Sequence, residues 1–129
     1  MTTFTEGRHP GEFLISEANG NRSRETITVV AGSGVIAPGG VLGVFTTGAN
    51  AGKYSLAPAS AADPDVGNQT AVAVALYGCD ATSTDQKLVV IRRDAEVNGN
   101  MLSYASSVDT APEKTAKAAQ LAAAGIIVR

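Results

Sequence analysis

The sequence predicts an α+β fold, mostly β: a small mixed β domain with one C-terminal helix and a long extended N-terminal arm. Three observations carry this. Residues 26–104 alternate short apolar runs with Gly, Pro and Asn turns, which is the pattern of strands and hairpins. Thr110-Ala111-Pro112-Glu113 opens a segment with the marks of a helix start. Residues 1–25 form a polar leader studded with Gly, Asn and Arg, whose one apolar knot is Phe13-Leu14-Ile15. The expected organisation is therefore an arm over 1–25 and a compact β-rich domain over 26–129. Fully extended, such an arm reaches roughly 80 Å at about 3.3 Å per residue.

In the arm, Pro10-Gly11 and Asn19-Gly20-Asn21 are turn signals. Between them the knot predicts one short strand, with Phe13 and Ile15 on the same side. Thr26-Ile27-Thr28-Val29 alternates polar and apolar, as a strand with one buried face does. Gly32-Ser33-Gly34 breaks it, and Ala37-Pro38-Gly39-Gly40 predicts a type II turn because Pro presets the first central φ and Gly accepts the positive second one. Residues 41–46 and 53–57 read as a strand pair joined by the loop Thr47-Gly48-Ala49-Asn50-Ala51-Gly52.

Residues 60–69 are an exposed loop by composition. Residues 70–77 (TAVAVALY) are apolar on both faces, which predicts a central strand covered on both sides. Residues 78–85 turn the chain, and residues 86–93 (QKLVVIRR) return as another buried strand. Asn98-Gly99 is a compact turn leading into residues 101–104. Thr110 and Glu113 have the spacing of a capping box, with Pro in the first turn. The Ala-rich helix ends at Gly125, and Ala116, Ala119 and Ala123 make a smooth face expected to lie against a sheet. Ile126-Ile127-Val128 forms a last short strand.

Composition narrows the function classes. Apolar residues make up 44% of the chain but aromatics only 5%, so the core is built from Ala, Val and Leu and is expected to be thin and helped by subunit contacts. A net charge of −2 without a basic stripe argues against nucleic-acid binding. No apolar stretch approaches the ~20 residues of a membrane span, and no basic segment followed by an apolar one marks a secretion signal. The single Cys79 excludes an internal disulfide and fits synthesis in a reducing cytoplasm.

The chain is poor in catalytic equipment. His9 is the only histidine and lies in the arm, away from any rigid scaffold that would hold it as a base. Without a histidine partner, Cys79 reads as a buried or half-buried thiol. One His and one Cys cannot make a tetrahedral zinc site. Asp63-Pro64-Asp65-Val66-Gly67-Asn68 is faintly similar to the start of a calcium loop, but Val74 stands where the closing Glu is needed. Gly48-Ala49-Asn50-Ala51-Gly52-Lys53-Tyr54 is one residue too short for a P-loop and lacks its Ser/Thr. Asn68-Gln69-Thr70 is a glycosylation sequon of no consequence without secretion. Asp80, Asp85, Asp94 and Glu96 fall at strand ends and turns with no acid–base spacing. No catalytic residue, cofactor or metal is expected.

An ordered series of segments resembles the lambda-type phage head decoration proteins. It comprises Ala37-Pro38-Gly39-Gly40, Val72-Ala73-Val74-Ala75-Leu76-Tyr77, Asp80-Ala81-Thr82-Ser83-Thr84-Asp85, the run from Leu88 to Arg92, Ala111-Pro112-Glu113-Lys114-Thr115, and Ala124-Gly125-Ile126-Ile127-Val128. Gly11-Glu12-Phe13-Leu14-Ile15-Ser16-Glu17 is similar to the start of longer members. The resemblance implies a homotrimer on the outer face of an expanded capsid, clamping the major capsid protein at threefold and quasi-threefold sites without enzymatic activity. It also implies an arm that orders by pairing with capsid strands. On that reading Glu12, Phe13, Leu14, Ile15, Arg22 and Arg24 contact the capsid, with Phe13 and Ile15 filling pockets while the backbone extends a sheet. The alternative is that the knot folds back onto the chain's own trimer. A tail-tube or adaptor subunit, and a small hydrolase or ligand-binding domain built on loop carboxylates, are the competing functions.

Overall fold

The computed structural model describes residues 2–129. Its strands are β1 (Leu14–Glu17), β2 (Arg24–Val29), β3 (Gly34–Ile36), β4 (Val41–Val44), β5 (Tyr54–Leu56), β6 (Ala71–Ala75), β7 (Cys79–Ala81), β8 (Gln86–Ile91), β9 (Ala95–Val97) and β10 (Ile126–Val128). One helix, α1 (Ala111–Ala123), precedes the last strand. The mostly β fold with a C-terminal helix is thus the one the sequence predicts.

Five strands close a barrel in the order β2-β5-β4-β6-β8. Its longest seam is the antiparallel β2–β8 pair, registered from Arg24↔Ile91 to Val29↔Gln86. Ile27 and Val29 of β2 face Leu88 and Val90 of β8 in the interior, joined by Leu42, Tyr54, Ala73 and Ala75. Residues such as Thr26 and Lys87 alternate outward, as the period of two requires. The expected hairpin is present, with Val44 paired to Tyr54 and Leu42 to Leu56.

The doubly covered strand is β6. Its Ala73 and Ala75 face the barrel interior, while Val74 belongs to a second cluster with Phe13, Val97, Leu121 and Ile126. That second core lies under α1 and a three-stranded sheet of order β1-β9-β10. The turn before β4 has the expected form: Gly39 sits at φ +87°, and the Gly40 N–H donates to the Ala37 carbonyl at 3.0 Å.

Helix α1 starts at a complete capping box. The Glu113 N–H donates to Thr110 Oγ1, and the Thr110 N–H donates to the Glu113 carboxylate at 3.0 Å. The face it buries is not the expected one. Ala116, Ala119 and Ala123 are all exposed, whereas Lys117 and Leu121 are buried. The reason is hydrogen bonding. The chain leaving β5 and the chain entering β6 carry backbone groups that the sheet leaves unpaired, and alanine cannot satisfy them. Lys117 Nζ donates to the carbonyls of Pro58 (2.6 Å) and Gln69, and the Ala71 N–H donates to Gln120 Oε1 at 2.8 Å. These polar side chains, together with the buried Leu121, set the rotation of the helix.

One region expected to turn the chain contains a strand, and so does one that the sequence pattern leaves unassigned. Within residues 78–85, β7 pairs antiparallel with β3 from Gly34↔Ala81 to Ile36↔Cys79. Before the Asn98 turn, β9 pairs with both β1 and β10. The chain there makes a single 3-10 turn, Gly99–Met101, and then one isolated bridge, Ser103 beside Gly40.

Candidate functional site

The sequence singles out the N-terminal leader, and the structure divides it at Pro10. Residues 2–9 join no sheet or helix and are exposed, with Phe4 90% open to solvent. From Gly11 onward the chain is fastened to the body. The Gly11 N–H donates to the Leu76 carbonyl (3.1 Å), and the Asn98 N–H donates to the Phe13 carbonyl (2.8 Å). Strand β1 then pairs antiparallel with β9. A free arm reaching to residue 25 is not seen: β1 pairs with β9, β2 lies in the barrel, and only the turn between them keeps residues without partners.

Phe13 shows this most clearly. It is 1% exposed and belongs to the core beneath α1, so its side chain fills this chain's own core rather than projecting toward another protein. Ile15 is 53% exposed. The expectation that the two share a side fails because the pairing with β9 slips between Leu14 and Ser16. A bulge at Ile15 breaks the alternation there and turns that side chain outward. Leu14 is half-buried, and Glu12 lies at the surface.

Arg22 and Arg24 are tied to nearby acids. Arg24 holds Glu17 through both Nε (3.1 Å to Oε2) and Nη2 (2.5 Å to Oε1). Ser23 Oγ donates to the same carboxylate at 2.6 Å. The Arg24 hydrogen bond is the main cause of a Glu17 carboxyl held below its ordinary range, and Glu17 in turn raises the Arg24 guanidinium. Arg22 Nε lies 3.6 Å from Asp94. Arg93 donates to the Arg22 carbonyl at 2.9 Å and to Glu25 at 2.7 Å. This lattice of paired charges closes the β1–β2 corner onto the β8 end of the barrel.

Residues 2–9 have weaker anchors. The Arg8 guanidinium donates to the Met101 carbonyl, and His9 Nε2 lies 3.0 Å from Glu6. All of these side chains are at the surface, where such pairs contribute up to about 1 kcal/mol. The segment is thus tethered firmly at one end and held lightly along its length.

The carboxylates weighed as catalytic candidates are scattered and have structural partners. Asp80 accepts from the Thr82 N–H at 3.0 Å. Asp85 pairs with Lys53 (2.8 Å) and accepts from the Ala31 N–H (2.8 Å). Glu96 pairs with Arg129 (2.9 Å) and Ser16 (3.1 Å). These hydrogen bonds hold all three carboxyls below their ordinary range, with Thr82, Lys53 and Arg129 as the main causes in turn. Cys79 is half-buried in β7, and burial pushes its thiol up, away from the reactive thiolate. Among the described residues no three His, Cys, Asp or Glu side chains gather as a metal site.

Sequence reasoning did not single out three surface features. Val35 stands 71% exposed on β3. Tyr77, expected within a covered strand, is 46% exposed just beyond the end of β6. It borders a shallow groove of ≈ 330 Å³ with Asn21, Arg24, Glu25, Thr26 and Val89. The signal for Tyr77 was available in Gly78, since the strand ends at Ala75 and the chain turns there.

No curated protein matches the chain. The family of the bacteriophage lambda head decoration protein D matches residues 3–126, which takes in β1 to β9, the helix and nearly all of the exposed N-terminal segment. This match agrees with the ordered segments read from the sequence: the chain belongs to the bacteriophage lambda head decoration protein D family, a family of structural virion proteins.

Proposed function

We propose that this chain stabilises an expanded phage capsid as a homotrimer bound to the outer face of the shell at threefold and quasi-threefold positions. The attachment runs through residues 2–9, which add as a strand to the major capsid protein. The observation that carries this reading is the contrast at Pro10. A segment outside every sheet, with Phe4 90% exposed, is rooted in a body where Gly11 and Phe13 are hydrogen-bonded through the backbone and the Phe13 ring is buried. Eight extended residues span about 26 Å, enough to cross onto a neighbouring subunit. Main-chain pairing would supply affinity and alternate side chains specificity.

Of the residues expected to meet the capsid, Ile15 keeps a free side chain on an edge strand, and Glu12 and Leu14 flank the root. The contact's inner end is placed there. Arg22 and Arg24 border it through their paired acids, and Phe13 acts indirectly by fixing the root in the core. Ordering residues 2–9 loses conformational entropy, so a single arm binds modestly. Three arms on one trimer multiply the attachment through effective concentration. The protein is made in the host cytoplasm and resides on the outside of the virion.

Deleting residues 2–9 tests the mechanism. The truncated protein should sediment as a folded trimer and wash off expanded shells. Retention equal to that of the full chain would overturn the arm mechanism, and a monomer at working concentration would overturn the clamp.

A further inference from the structure

The sequence contains two Asn-Gly pairs, Asn19-Gly20 and Asn98-Gly99, and the fold treats them oppositely. Asn-Gly is the dipeptide in which a backbone nitrogen most easily reaches the preceding amide, because glycine offers no side chain to obstruct it. Reaction requires a free Gly N–H and an Asn side chain able to rotate.

At Asn98 both requirements fail. The Gly99 N–H donates to the Arg129 carbonyl at 2.8 Å. Asn98 Oδ1 accepts from the Asn100 N–H at 3.0 Å, capping the 3-10 turn. At Asn19 both are met. Asn19 and Gly20 are exposed, and among the described residues neither the Asn19 side chain nor the Gly20 N–H has a hydrogen-bond partner. The chain is clamped on either side of them. The Ala18 N–H donates to the Asp94 carbonyl (3.0 Å), and the Arg24 N–H donates to the Asn21 carbonyl (3.1 Å). The free apex of this turn is therefore confined to Asn19-Gly20.

We infer that Asn19 is a site of spontaneous deamidation in the folded protein, and that Asn98 is protected by the fold. Base removes the Gly20 amide proton, and the nitrogen attacks Asn19 Cγ. The N–Cγ bond forms, the Cγ–Nδ2 bond breaks, and the amide departs as ammonia after taking up a proton. Water then opens the succinimide at either carbonyl to give aspartate or isoaspartate. The product adds one negative charge to a chain whose net charge is −2, at the corner where Arg22 and Arg24 pair with Asp94 and Glu17. The isoaspartyl form also lengthens the backbone by one methylene at the turn between β1 and β2. A subunit held on a virion is not replaced by fresh synthesis, so conversion accumulates with the age of the particle.

The test is peptide mapping by mass spectrometry of full-length protein aged in mildly alkaline buffer, with isoaspartate-specific methylation as a second readout. Conversion at Asn19 should exceed that at Asn98 by about tenfold or more, since Asn98 reacts only after local opening. The same incubation in denaturant should bring the two sites to similar rates, and Asn19→Ser should abolish the main signal without altering the fold. Equal conversion at the two sites in folded protein, or no conversion at Asn19, would overturn the inference.

Discussion

Replacing Phe13 by alanine separates the roles that the leader's apolar knot can play. The ring is 1% exposed and shares a core with Val97, Leu102, Leu121 and Ile126, drawn from β9, α1, β10 and the segment between them. Removing a buried phenylalanine costs about 3–5 kcal/mol, the loss of transfer free energy plus the cavity left behind. A domain of this size is stable by roughly 5–15 kcal/mol, so the substitution removes a large share. At about 4 °C per kcal/mol for a chain between the small and medium classes, the melting temperature should fall by roughly 12–20 °C. Ile15→Ala is the companion variant. Its side chain is 53% exposed at the bulge, and its cost should stay below about 1 kcal/mol. Urea unfolding followed by circular dichroism measures both. The reasoning is refuted if Phe13→Ala unfolds at the wild-type midpoint while capsid retention is lost, because Phe13 would then be a capsid anchor outside the core.

Three further outcomes follow from other parts of the fold. Lys117→Ala should cost about 3 kcal/mol or more, because the carbonyls of Pro58 and Gln69 lose their donor inside the protein; Lys117→Met keeps the stem and should lose less, and equal stability of all three proteins in urea would contradict the role assigned to the ammonium. Gly43→Ala would set a Cβ 1.9 Å from the Asn68 carbonyl oxygen, so a destabilisation of about 1–3 kcal/mol is expected in the same assay, and a neutral result would show that the loop against β4 yields. Glu17, Asp85, Glu96 and Glu113 are all held below their ordinary values by hydrogen bonds, chiefly to Arg24, Lys53, Arg129 and the Thr110 N–H respectively. Their stabilisation is complete above the ordinary Glu value of 4.5 and lost as pH falls through the lower folded values. The urea midpoint should therefore hold down to about pH 5 and decline below it, and a midpoint unchanged to about pH 3 would remove these pairs from the account.

Much of the body was legible because its strands obey simple periods. Ile27 and Val29 alternate with threonines, and the barrel keeps them inward. The apolar run at Val72, Ala73 and Val74 is covered on both faces, as its composition requires. Pro38-Gly39 and the Thr110/Glu113 pair act locally, so their turn and cap could be read without knowing the rest. What escaped depended on tertiary partners. Strands β3, β7 and β9 have three residues each, too few to show a period, and exist because another segment pairs with them. The helix rotation is not legible because an alanine stripe looks apolar, while the deciding interaction is an ammonium meeting carbonyls from residues 58 and 69. Polar composition alone makes residues 1–25 look like one unit. Nothing in that composition shows that Phe13 completes a core assembled from residues 41 to 126, or that Glu17 meets Arg24 across a turn. The part that remained arm-like, residues 2–9, is the part without apolar content beyond Phe4.

The central claim is that this chain recognises a mature shell surface through its N-terminal segment. The most direct measurement is sedimentation of full-length protein with expanded and unexpanded capsid shells, side by side with the protein lacking residues 2–9. The full chain should co-sediment with expanded shells only, and the truncated protein with neither. Equal binding of the full chain to both shell forms, or undiminished binding of the truncated one, would contradict the account.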